Sequence, residues 1–298
     1  MGFCTGSNRP TGEGETRHFD RRCSYVKIVY IFEMLHDVTE LDAARNRHSP
    51  HVARKRRMRI QRILRAALEV VRVEGRDGLT LKRVAAQQRL TTAALYRYFR
   101  SKDALIAELQ RGVIAALARA TGERVDAADR FALAKEFAAT DRALLAVVVS
   151  GFVFEEFSRC APMEFGILST DLSRPEHTLP DREATLVFDA AWDALTDLAG
   201  RLRQAEESGA LEIGEPSERA VALWAGLQGI VQTRKLSRSG PARIDSTRVA
   251  KGLVSTLLIG WGADATAVER VIGLAERERF SILSGSSIDW IGSEDEDD

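Results

Sequence analysis

Between Arg45 and Gln110 the chain carries seventeen Lys and Arg residues against five Asp and Glu, a local excess of +12 within 66 residues. Fixed positive charge at that density is the electrostatic footprint of a polyanion site, since clustered cations sum into a field that phosphates follow. A solvated basic face without a partner is the alternative on charge alone. The whole-chain figure hides the excess: 298 residues hold 43 Lys and Arg and 43 Asp and Glu, a formal net charge of +0. Residues 1–44 contribute −2 and residues 111–298 contribute −10, so the neutrality is a cancellation between regions.

Other chemistries find little support. The three cysteines, Cys4, Cys23 and Cys160, are isolated and form no CxxC or Cys/His spacing, which argues against a disulfide framework or a zinc site. His177 stands alone between Pro175 and Pro180, and the other histidines fall at or before His51, so no catalytic set assembles. The expectation is a non-enzyme with no catalytic residues, metal or cofactor. No run of about 18 apolar residues exists to form a membrane span, and a cytoplasmic protein without a membrane partner is expected. The 45% hydrophobic content is ample for a packed core.

The elements that must position the basic residues are helical. Ile60, Ile63, Leu64, Ala67, Leu68 and Val71 recur at i, i+3, i+4, i+7, i+8 and i+11, one apolar stripe that predicts a helix from Arg57, closed by Gly75 and Gly78. Thr80 is the predicted N-cap of a short second helix presenting Leu81, Val84 and Ala85. Thr91 caps a third over Thr92–Tyr98. Ser101 caps a fourth from Lys102, with Leu105, Ile106 and Leu109 on its inner face. Short helices two and three, joined by a tight turn, predict a helix-turn-helix whose third helix enters the major groove.

Leu79-Thr-Leu-Lys-Arg-Val-Ala85, followed by Leu90-Thr-Thr-Ala-Ala-Leu-Tyr-Arg-Tyr-Phe-Arg-Ser-Lys-Asp-Ala-Leu105, resembles the DNA-binding domain of the TetR/AcrR family of transcriptional regulators. The run Leu95–Asp103 is its specific part, and the resemblance covers residues 57–110. Two positions depart from the family pattern, Arg89 and Ala93 standing where glycine is usual; Arg89 is therefore expected to adopt φ > 0. The resemblance implies base or groove contacts from Lys82, Thr92, Ala93 and Tyr96, and backbone contacts from Thr80, Thr91, Tyr98 and Lys102. For Thr91, helix capping alone is the alternative. Leu95 and Phe99 read as core, held against Ile63, Ala67 and Val84. Arg54–Arg57 form either a flexible arm over the phosphates or a solvated face.

The resulting expectation is an all-α protein with four parts. Residues 1–50 form a disordered or non-native extension, with Met34 and Met58 as alternative starts. A three-helix helix-turn-helix domain occupies 51–110, a helical effector-binding and dimerisation domain 111–283, and an acidic tail 284–298. Long helices are predicted at about 127–158, 181–208, 216–237, 246–261 and 264–280 from apolar periodicity. Tyr25–Phe32 looks strand-like but has no second strand near it.

Trp224-Ala-Gly-Leu-Gln-Gly229 and Leu257-Leu-Ile-Gly-Trp-Gly-Ala263 resemble the eighth and ninth helices of such regulators, which the family uses for dimerisation. Ala222, Gly226, Gly229 and Leu257 are the expected interface, with ordinary intramolecular core as the alternative. Phe152, Phe157, Phe188, Trp192 and Gln228 are the expected lining of an effector pocket, with Phe154, Leu195 and Cys160 near it; plain core is the alternative for each aromatic. The functional expectation is a homodimeric repressor on a pseudo-palindromic double-stranded DNA operator, released by a small hydrophobic effector. The alternative is an all-helical small-molecule-binding protein or enzyme whose basic N-terminus does not act on an operator.

Overall fold

A computed structural model describes residues 50–172, 179–234 and 245–281. Contacts divide the chain into Met1–Arg56 and Arg57–Asp298, and the packing described below is that of the second unit. The described residues contain helices and no strand, in line with the all-α expectation. Tyr25–Phe32, His177 and the acidic tail lie outside the described residues.

The head consists of α1 (Pro50–Gly78), α2 (Leu81–Gln87), α3 (Thr92–Tyr96) and the first turns of α4 (Lys102–Ala134). Its three predicted N-caps all form. The side-chain oxygens of Thr80, Thr91 and Ser101 accept from the backbone N–H groups of Arg83, Ala94 and Ala104 at 3.3, 3.1 and 3.0 Å. Each bond satisfies a donor that the first helical turn leaves open. The predicted stripe of α1 is buried from Ile63 to Val71, and Ile63, Ala67, Val84 and Leu95 are wholly inaccessible, with Phe99 at 5%. α1 breaks its regularity at Gly75, whose φ of 74° lies in the left-handed region.

The body comprises the rest of α4, then α5 (Ala139–Cys160), α6 (Pro162–Leu172), α7 (Asp181–Glu207), α8 (Pro216–Thr233), α9 (Ser246–Gly260) and α10 (Ala265–Arg277). α5 is its centre. Every residue from Val147 to Ser158 is buried, so the helix is enclosed on all sides rather than along one stripe. It packs against α4, α6, α7, α8, α9 and α10. Two forked ion pairs tie down its N-terminal turns. Arg270 of α10 donates to both carboxylate oxygens of Asp141 at 2.9 and 2.8 Å, and Arg142 donates to both oxygens of Asp129 on α4 at 2.9 and 3.1 Å. At the other end Glu155 accepts from Arg234 at 3.3 Å and from Thr247 at 3.1 Å.

The structure corrects the helix expected at 127–158. α4 continues to Ala134 and α5 starts at Ala139, because the chain reverses through a Schellman motif. Phe137 N–H donates to Ala132 O and Glu136 N–H to Leu133 O, both at 3.0 Å, with Glu136 at φ 55°. The same device ends α2, where Leu90 N–H reaches Ala85 O at 2.8 Å, Arg89 N–H reaches Ala86 O at 3.1 Å and Arg89 sits at φ 52°. The expected positive φ at Arg89 is present. Pro162 opens α6; a proline costs nothing at a first helical position, where its missing N–H would have no intrahelical partner.

A left-handed arginine is strained by about 1–2 kcal/mol relative to a right-handed one, and glycine is not. Arg89→Gly should therefore raise the unfolding free energy by about 1 kcal/mol, less the entropy a glycine adds to the unfolded chain. Urea denaturation checks this, and a loss of stability would show that the Arg89 side chain makes compensating contacts.

Candidate nucleic-acid interface

α2 and α3 form the helix pair, and their polar residues fall on the side that the core leaves open. Lys82 and Ala93 are exposed, Tyr96 is 54% exposed, and Thr92 is half-exposed. Tyr98 is more enclosed, its ring packing against the core. Lys102 is the first residue of α4, half-exposed, one position after the Ser101 cap. Thr80 and Thr91 are exposed. Capping uses one oxygen lone pair of each threonine and leaves its hydroxyl hydrogen available to donate. Capping and phosphate contact are thus compatible at Thr91 rather than alternatives. Arg97, absent from the expected contact set, is exposed at the C-cap of α3 between the two tyrosines. Its position inside the Leu95–Asp103 run was the available signal.

Not all of the local positive charge faces outward. Arg83 pairs with Glu74 and also donates to Gly78 O at 2.8 Å, bracing the end of α1. Arg72 pairs with the buried Glu164 of α6, and Arg100 with the buried Glu183 of α7. The Arg100 contact uses both Nε, at 3.0 Å, and Nη2. These two arginines connect the helix-turn-helix to the body. A third link is fully buried: Gln110 Nε2 donates to Ile167 O at 2.9 Å, joining α4 to α6.

The body holds an apolar cavity of about 100 Å³ between α4, α5, α6, α7 and α8. Ile114, Leu117, Ala118 and Thr121 line it from α4; Ala191, Ala194, Leu195, Leu198 and Arg201 line it from α7. Both sets are stripes at helical spacing. Phe154, Ser150 and Gly151 face it from α5. A Cβ on Gly151 would lie 3.0 Å from Val254 of α9, so this glycine lets α9 approach the back of the cavity wall.

The residues expected to line an effector pocket are elsewhere. Phe157 is closed core at 1% exposure, and Phe188 and Trp192 are 40% and 52% exposed. They lie on the α7 positions adjacent to the lining stripe. Phe152 borders a separate polar cleft with Glu155 and Glu156, and Gln228 is buried without reaching the cavity. The Cys160 thiol donates to Glu156 at 3.1 Å, also outside it. Phe154 and Leu195 do line it. Among the expected interface residues, Ala222 is exposed, Leu257 is half-buried, and a Cβ on Gly229 would meet open space. Gly226 differs: a Cβ there would lie 2.6 Å from Leu253 of the same chain, so its lack of a side chain serves the packing of α8 on α9.

Residues 63–109 match the model of the bacterial regulatory proteins of the tetR family. The chain carries a TetR-family DNA-binding domain. No curated protein matches the sequence significantly. Among solved structures, a protein of unknown function from Rhodococcus sp. RHA1 is 19% identical, with 73% of this chain aligned to 98% of that one at a TM-score of 0.52. The transcriptional regulator FadR from Bacillus subtilis, solved in complex with stearoyl-CoA, is 16% identical, with 67% of this chain aligned to 97% of that one at a TM-score of 0.50. These likenesses extend the shared fold from the TetR-family head through the helical body. No helix among the described residues is long and apolar enough to cross a membrane.

The Arg100 contact holds the Glu183 carboxyl below the ordinary carboxylate range, against the opposing effect of burial. A lowered folded-state pKa stabilises the fold above the ordinary glutamate value of about 4.3, and the contribution is lost as the pH falls through the lower folded value. The stability difference between the native chain and Glu183→Gln should therefore be present at neutral pH and close on acidification. Denaturant melts across that range test it; a pH-independent difference would mean that Glu183 acts through packing instead.

Proposed function

We propose that this chain is a dimeric, ligand-responsive TetR-type repressor that releases a pseudo-palindromic operator when a small apolar molecule enters the cavity. The observation that carries this reading is the continuity of α4. One helix begins at the Ser101 cap beside the recognition helix and supplies Ile114, Leu117, Ala118 and Thr121 to the cavity wall. A ligand that spreads α4 from α7 must tilt the same helix where it carries the head.

In this reading α3 enters the major groove. Thr92 and Ala93 offer small apolar and hydroxyl contacts to base edges, Tyr96 adds a groove contact, and Lys82 reaches guanine O6/N7. Thr80, Thr91, Tyr98, Lys102 and Arg97 set the register through phosphates, which carry no sequence information. Dimerisation through α8 and α9, with Ala222, Gly229 and Leu257 on the shared face, presents two heads to half-sites about 34–36 Å apart or one multiple further. Exposed Val249 and Ile259 on α9 supply apolar area for that contact. FadR holds stearoyl-CoA; for this chain an apolar effector is supported by the cavity's own lining. The effector shifts the DNA-binding equilibrium only by its differential affinity for the two head arrangements.

Mobility-shift assays against the DNA upstream of the protein's own gene test the operator reading, with a retarded, competitor-resistant complex expected. Lys102→Ala should weaken binding evenly across sequences and reduce the salt slope by about 1. Lys82→Ala should relax base preference at one operator position, and an unchanged preference would remove Lys82 from the readout set. Absence of any sequence-preferring complex would contradict the proposal as a whole.

A further inference from the structure

The polar groups of the cavity are unequally provided for. The Thr121 hydroxyl donates to Leu117 O at 2.8 Å and the Ser150 hydroxyl to Ala146 O at 2.7 Å, so both hydrogens are spent within their own helices. What those groups still offer the cavity is acceptor capacity. The donors are different. Arg201 lines the cavity from α7, half-buried, and among the described residues nothing accepts a hydrogen bond from its guanidinium or pairs with it. The indole N–H of Trp224, another lining residue, likewise has no acceptor among the described residues.

A guanidinium carries five N–H donors and a charge that cannot be shed, and those of Arg201 are uncommitted at the cavity wall, where a ligand acceptor can reach them. Three arginines that bridge these helices are matched: Arg142, Arg219 and Arg270 each meet a carboxylate within 2.7–3.1 Å. Asp197, one turn before Arg201 on the same helix, also borders the cavity, but it is exposed and forms no ion pair with Arg201. Burial draws the Arg201 guanidinium below its ordinary value, and the attraction of Asp197 and Asp126 only partly opposes this.

We propose that the cavity takes a compact apolar carboxylate, with the hydrocarbon against the Ile114, Leu117, Leu195 and Leu223 side chains and the carboxylate accepting from Arg201. The proposal rests on the reading of this cavity as the effector site and adds the ligand's charge and size to it. A bidentate guanidinium–carboxylate contact supplies two parallel charge-assisted hydrogen bonds. The apolar walls accept the tail. A cavity of about 100 Å³ leaves room for a short aliphatic tail and excludes a long acyl chain.

Isothermal titration of the full chain with hexanoate, 1-hexanol and hexylamine separates head-group recognition from tail burial. Hexanoate should bind at least about tenfold more tightly than hexanol, the margin expected of a charge-assisted hydrogen bond in a partly dry site. Arg201→Gln should bring hexanoate to the hexanol level while hexanol still binds, which also reports an intact cavity. Arg201→Lys should restore part of the preference. Equal binding of hexanoate and hexanol, tighter binding of hexylamine, no binding of any of the three, or an Arg201→Gln variant that keeps the preference would each overturn the assignment. Adding saturating hexanoate to a preformed DNA complex separates the two levels. Binding without release of DNA would refute the effector reading and leave the carboxylate site standing.

Discussion

The structure depends on one continuous helix. α4 spans 33 residues, about 50 Å at the rise of an α-helix. Its first turns are core of the DNA-binding head, through Leu105, Ile106 and Leu109, and its middle is a wall of the cavity. An α-helix transmits tilt and translation because its backbone hydrogen bonds resist bending. Two regions served by one such rod cannot be repositioned independently. The arrangement therefore restricts how a ligand can act at a distance, without requiring a diffuse network to carry the effect.

Around that helix the electrostatics are divided by task. The head's basic excess is partly internal: Arg83 braces α1, while Arg72 and Arg100 reach buried carboxylates on α6 and α7. Those two pairs tie the head to two different helices of the body. Such pairs have two useful properties. They are directional, so they define one head position, and each leaves its arginine half-exposed to water. Lys82 on α2 and Arg97 at the end of α3 remain exposed.

The head was legible in the sequence almost residue by residue, because its signals are local. Threonine and serine caps act within three residues, and the stripe on α1 repeats over about three turns. The body was less so, for identifiable reasons. The reversal at Glu136 uses a left-handed residue that is not glycine, so α4 and α5 read as differently divided. Pro162 begins a helix, and a proline's effect depends on whether it falls at a first turn or an interior one. The cavity was the hardest to foresee. α5 is buried on every side, so its aromatic content carries no phase, and on α7 the lining stripe is Ala191, Ala194, Leu195, Leu198 and Arg201, with the larger Phe188 and Trp192 beside it. Gly226 shows the same limit: a small residue in a helix permits close approach, but only the fold says whether the neighbour is Leu253 of the same chain.

Coupling between the cavity and the head is the central claim, and thermodynamic linkage offers its most direct test. Hexanoate affinity should be measured with and without saturating operator DNA, alongside operator affinity with and without saturating hexanoate. If α4 joins the two sites, the two factors must be equal and well above one, because coupling free energy is reciprocal. Hexanoate affinity that is unaltered by bound operator would contradict the account.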